Sequence, residues 1–148
     1  MKQEEKDLLL KDLCARLPYR VKCLVNYTFC NETTDYEDVK SSTVDTLITI
    51  NQQTESYFFE CLSEWFDVDE FKPYLFPLSS MTEEEKDKYQ WFCVKVPIYE
   101  QYYGEYEIDG YEYEDTWASI DWLNENHFDY KGLIPMGLAI DATGLNIY

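Results

Sequence analysis

The residues with the clearest chemical potential lie between positions 99 and 115, where the chain reads Tyr-Glu-Gln-Tyr-Tyr-Gly-Glu-Tyr-Glu-Ile-Asp-Gly-Tyr-Glu-Tyr-Glu-Asp. This window carries six tyrosines, seven acids and no base. Asp109-Gly110 between alternating flanks has the composition of a type I′ turn, so the window predicts a β-hairpin that turns there. Alternation then places Glu105, Glu107, Glu112 and Glu114 on one face and Tyr106, Ile108, Tyr111 and Tyr113 on the other. In that register Glu107 faces Glu112 and Glu105 faces Glu114, at ~4.5–5.5 Å between Cβ atoms, where like charges repel. Four carboxylates without a counter-charge suit three roles. They can form a solvated outer face while the tyrosines pack on the core. They can engage a basic protein surface or imitate a row of nucleic-acid phosphates. They can also hold a hard cation such as calcium, although the chain has no Asp-x-Asp-x-Asp-Gly loop. Tyr102 and Tyr103 would add contact area to a protein-binding surface.

Other reactive groups are sparse. His127 is the only histidine, which excludes a multi-histidine metal site, and its position after the last helix suggests a structural or surface role. Nothing local pairs it with one of the five thiols as a Cys–His nucleophile. Asp67, Asp69 and Glu70 could supply half of a hydrolase carboxylate pair, or simply form an exposed acidic loop. There is no glycine-rich phosphate loop, Walker box or dinucleotide fingerprint. The reading therefore assigns no catalytic residue, metal or cofactor. It favours a non-enzymatic interaction protein that engages a basic protein surface through Glu105, Glu107, Glu112, Glu114, Tyr102 and Tyr103. A small-ligand module with an aromatic-lined pocket between sheet and helix is the second expectation. A hydrolase built on Asp67, Asp69 or Glu70 is the third.

Composition sets the frame. The 148 residues contain 12 Lys plus Arg and 30 Asp plus Glu, for a net charge of −18. Residues 1–24 hold six bases and four acids, so the whole acid excess lies downstream. Such a field repels nucleic acid and anionic membranes and attracts basic surfaces. No apolar run approaches the ~20 residues that span a bilayer, and Met-Lys-Gln-Glu-Glu-Lys lacks the apolar stretch of a secretory signal. These features predict a cytoplasmic protein. The five cysteines are then expected as free buried thiols, and the sequon Asn31-Glu32-Thr33 as accidental. The length suits one domain spanning 1–148.

The elements that must carry these residues follow from periodicity. Leu9, Leu10, Leu13, Cys14 and Leu17 have helical spacing, which predicts a helix over 3–17 stopped by Pro18. Alternation predicts strands over 20–28 and 43–51, and aromatic content predicts a third over 57–62, together an antiparallel meander. Residues 29–42 read as a polar loop, and 72–77 as extended or turning. Thr82 and Glu85 form a capping box that starts a helix running to about 90. Residues 91–98 carry Pro97 and read as an edge strand. Asp115 or Thr116 caps a helix to about 126, with Trp117, Ile120 and Leu123 on its apolar face.

Three blocks add a likeness: Lys11 to Tyr19 (Lys-Asp-Leu-Cys-Ala-Arg-Leu-Pro-Tyr), Lys72 to Glu85, and Asp121 to Ile140. Together they cover roughly a third of the chain. Their wording resembles a family of short uncharacterised proteins from gut Bacteroidales and their phages. Members of that family carry Arg in place of Phe76, Gly in place of Arg20 and Glu in place of Pro135. The resemblance implies a cytoplasmic bacterial or phage-related setting and brings no activity, cofactor or site residue. The Tyr/Glu window lies outside the three blocks. The fold class that follows is α+β: a single compact domain with a small, mostly antiparallel sheet and N-terminal, mid-chain and C-terminal helices.

Overall fold

The computed structural model describes residues 1–29 and 38–148 in full, with the backbone of Cys30. The sequon at Asn31 lies outside the described residues. The fold is α+β, as the patterning predicts. Helix α1 spans Gln3–Arg16 and is followed by a 3₁₀ turn, Leu17–Tyr19, that contains Pro18. Leu9 and Leu13 are fully buried, with Leu10, Cys14 and Leu17 at the edge of the same face.

The main sheet is built from β1 (Lys22–Cys30), β2 (Asp38–Asn51), β3 (Ser56–Phe59), β4 (Trp65–Asp67) and β5 (Phe71–Pro77). Strands β1 to β4 form an antiparallel meander, and β5 lies antiparallel on the other side of β1, with Pro73 opposite Cys23. Two corrections to the sequence reading arise here. The segment read as a polar loop over 29–42 is strand on both sides of the undescribed residues, because β1 and β2 stay paired out to Cys30↔Asp38. Backbone pairing needs no apolar side chains, so polar Ser41, Ser42 and Lys40 take part in the ladder. The sheet also gains two short parallel strands, β8 (Phe128–Asp129) and β9 (Ile140–Asp141), both on β5.

Val21, Cys23, Val25, Leu47, Tyr57, Phe59, Phe71 and Leu75 meet α1 and Leu133 in the main core. A second, smaller cluster joins Met81, Leu123 and Phe128 beneath α2 (Glu83–Phe92) and α3 (Trp117–Glu125). Both helices start as the sequence predicts. Thr82 accepts from the Glu85 amide while Glu85 accepts from the Thr82 amide, and Thr116 caps α3 through the Ser119 amide. Trp117 departs from its expected buried face and is 94% exposed. The small second cluster is already filled by Ile120, Trp122 and Leu123, from the middle and end of α3.

Two carboxylates hold the interior. Asp12 and Arg16 are both fully buried and paired through bonds of 2.7 and 3.1 Å, and Arg16 also donates to the Phe128 carbonyl at 2.7 Å. Burial works against the Asp45 carboxylate, but the amides of Cys61, Leu62 and Thr46 donate to it and hold its pKa below the usual range. Cys14, Cys23, Cys61 and Cys93 are free thiols, as expected, but only Cys23 is fully buried and Cys61 is exposed. No helix among the described residues is long and apolar enough to cross a membrane.

Candidate functional site: an exposed two-faced hairpin

The Tyr/Glu window forms a hairpin of β6 (Val94–Tyr102) and β7 (Glu105–Glu114). Its turn is not Asp109-Gly110. The chain reverses at Tyr103-Gly104, both at positive φ (50° and 87°), and Tyr102 pairs with Glu105 across it. This is a type I′ geometry with glycine at the second position. The earlier turn wins because it lets all of 94–102 pair. A turn at Asp109-Gly110 would leave 94–98 without a partner.

Asp109 becomes the extra residue of a β-bulge, since Tyr99 pairs with Ile108 and Ile98 with Gly110. The bulge restores the predicted division of faces. A one-residue slip would flip every later side chain. With the bulge, the register still puts Glu105, Glu107, Glu112 and Glu114 on one face and Tyr106, Ile108, Tyr111 and Tyr113 on the other. The expected Glu107–Glu112 and Glu105–Glu114 oppositions do not occur, because all four lie on one strand. Their cross-strand partners, in chain order from Glu105 to Glu114, are Tyr102, Glu100, Val96 and Val94, leaving Glu100↔Glu107 as the like-charge pair across the ladder. Tyr102 donates to Glu100 at 2.8 Å, which raises the tyrosine pKa.

Among the described residues the ribbon pairs with no other strand. The expectation that its tyrosines pack on the core is overturned: Tyr99, Tyr106, Ile108, Tyr111 and Tyr113 are exposed, as are the glutamates opposite, and Tyr103 at the tip is fully exposed. The single base of the ribbon, Lys95, lies with its Nζ 4.0 Å from the Tyr111 ring centroid, a cation–π contact. The root is fixed between α2 and α3. Thr116 donates to the Phe92 carbonyl at 2.6 Å, and Asp115 accepts from Tyr89 at 2.6 Å and Ser119 at 2.9 Å. Burial, then the bond to Asp115, raises the Tyr89 pKa and keeps it a donor. Close in sequence to the root, Trp91 (85% exposed) and Trp117 are also open to solvent.

The other candidate carboxylates are placed differently. Asp67, Asp69 and Glu70 are exposed at a 3₁₀ turn. Glu70 accepts from the Asp67 amide, and Asp69 lies within 3.5 Å of Lys6 and 3.7 Å of the N-terminal ammonium. Among the described residues, the groove that Asp69 and Glu70 line has no acid from another element. No cluster of three or more metal-ligating side chains occurs among the described residues.

His127 is the group that sequence reasoning undervalued. It follows α3 with φ +59°, a left-handed position that glycine or asparagine usually fills. It is 7% exposed, and its Nδ1 is buried without a hydrogen-bond partner among the described residues. Burial, and then the nearby Arg16 charge, push its pKa down to about 4, so the ring is neutral near pH 7. The signal in the sequence was a histidine at a helix C-terminal position that favours glycine. No family model, curated protein or solved structure matches this chain.

Proposed function

We propose that this protein is a non-enzymatic binding protein whose β6–β7 hairpin docks on a basic surface of another protein. The observation that carries the reading is the isolation of the hairpin: nine and ten residues of strand stand in a two-stranded ribbon with both faces open. A lone two-stranded ribbon is marginally stable in water, so covering it stabilises it. Its chemistry selects the cover. Six acids against one lysine favour a basic partner, and exposed tyrosines supply the large, rigid contact area typical of binding hot spots. The Lys95–Tyr111 contact illustrates how an incoming cation would sit on the aromatic face.

Alternate residues of a strand lie ~6.6–6.8 Å apart, about the axial advance of two phosphates along one DNA strand at ~3.4 Å each. This spacing favours a nucleic-acid mimic, or an inhibitor of the kind phages deploy, acting on a DNA- or RNA-binding protein. Free thiols at Cys14, Cys23, Cys61 and Cys93 suit the reducing cytoplasm as its location.

The test is capture from host lysate by wild type, by the hairpin variant Glu105→Gln, Glu107→Gln, Glu112→Gln, Glu114→Gln, and by a charge-matched control. The control carries Glu4→Gln, Glu55→Gln, Glu64→Gln and Asp87→Asn. A basic protein kept by wild type and control, lost by the hairpin variant and displaced by duplex DNA supports the mimic. Equal capture by all three overturns the hairpin reading.

A further inference from the structure

We propose that the cavity beside His127 binds an amino-bearing heteroaromatic ring of nucleobase size. The cavity has a volume of about 460 Å³ and lies between the end of β5, the start of α2, the end of α3 and the C-terminal segment. That volume is within the range of small-molecule sites, roughly 300–1,000 Å³.

Its wall is aromatic. The His127 and Tyr148 rings lie nearly parallel, 14° apart with centroids at 3.9 Å, and Phe76 stands 5.9 Å from Tyr148 and 6.2 Å from Phe128. Tyr148 is held by donating to the Tyr74 carbonyl at 2.7 Å and accepting from the Lys22 amide at 3.2 Å, so this side of the wall is preformed. A flat ring is the shape such a wall accommodates.

The polar groups select among flat rings. Glu85 and Glu125 line the cavity, and among the described residues no lysine or arginine does. Glu85 spends one oxygen on the Thr82 amide, and Glu125 makes no hydrogen bond or ion pair among the described residues. The lining therefore favours N–H donors and positive charge and opposes anions. His127 supplies the second, independent observation. The residue is 7% exposed and lines the cavity, and its Nδ1 lies behind that lining, closed to solvent and without a hydrogen bond among the described residues. Leaving a buried polar atom unpaired is costly, and a ligand with both donors and acceptors on its edge can relieve that cost after a small shift of the ring. Amino-purines and amino-pyrimidines have this edge. The free base or nucleoside suits the site, whereas a nucleotide would bring its phosphate against Glu85 and Glu125.

The test is an NMR titration that follows the His127 and Tyr148 ring resonances with adenine, adenosine, AMP and benzoate. Saturable shifts with adenine or adenosine at ~1 mM, and affinity about tenfold weaker for AMP, are expected. Adenosine matching or exceeding adenine would identify the nucleoside as the source. His127→Asn, which asparagine's tolerance of positive φ should keep folded, should abolish the adenine shift at Tyr148. The exposed-rim variant Thr143→Arg should weaken adenine and strengthen AMP. Absence of saturation up to about 10 mM adenine, or equal response to adenine, AMP and benzoate, overturns the proposal.

Discussion

Replacing His127 by Asn removes the one imidazole from a buried site, and the cost of the wild-type ring depends on pH. In the folded protein burial and then Arg16 hold the His127 pKa at about 4, against an ordinary value of 6.5 in the unfolded chain. Between those values the unfolded state binds more protons, so stability falls as pH drops through the window and is regained as pH rises above it. Integrated from pH 7 to pH 4.5, a shift of this size takes away roughly 2 kcal/mol. Acid also shrinks the net charge of −18, so the wild-type curve alone mixes several effects. Comparison with His127→Asn isolates the ring. The assay is urea unfolding of both proteins at pH 7 and pH 4.5. Wild type should lose roughly 2 kcal/mol more than the variant over that interval. Equal losses would refute a buried neutral imidazole at this position.

Three further outcomes follow from the geometry. Asp12→Ala strands a fully buried guanidinium and should cost about 3–5 kcal/mol in urea unfolding. Thr82→Ala removes the α2 cap and should cost about 1 kcal/mol, with the Lys86 and Glu85 amides losing hydrogen-exchange protection first. Gly104→Val places a β-branched residue at φ +87°, which should loosen the ribbon. Hydrogen exchange should show lost protection across β6 and β7, while the thermal midpoint of the main core moves little because the ribbon joins no other strand.

Much of the fold was legible because its signals are local. The capping box of α2, the Thr116 cap of α3, the apolar face of α1 and the antiparallel order of β1 to β3 rest on local patterns, and each forms, although β1 and β2 run further toward each other than alternation predicts. Features set by distant partners were not legible. The burial of Asp12 and Arg16 depends on the Phe128 carbonyl, far along the chain, and nothing near either residue signals it. Strands β8 and β9 have two residues each, too few for any period to show. The hairpin shows both cases. Its tyrosine and glutamate faces were read correctly from alternation, yet its turn was misplaced because Tyr103-Gly104 and Asp109-Gly110 both offer a glycine. The choice between them rests on how many residues of 94–102 can pair, and the bulge at Asp109 then compensates for the shifted turn. His127 was read as a surface or structural group, because what covers it is the Tyr148 ring, distant in sequence, rather than its sequence neighbours.

The central claim is that the hairpin, and not the overall acidity, selects a basic partner. The most direct measurement is the affinity of an arginine-rich peptide for wild type, the hairpin Glu→Gln variant and the off-hairpin control with the same net charge, each at low and moderate salt. Four exposed charges at a few tenths to 1 kcal/mol apiece correspond to about tenfold or more in affinity. The hairpin variant alone should show that loss, together with a shallower salt dependence. Equal weakening of both variants would reduce the hairpin to one part of a uniformly negative surface and contradict the claim.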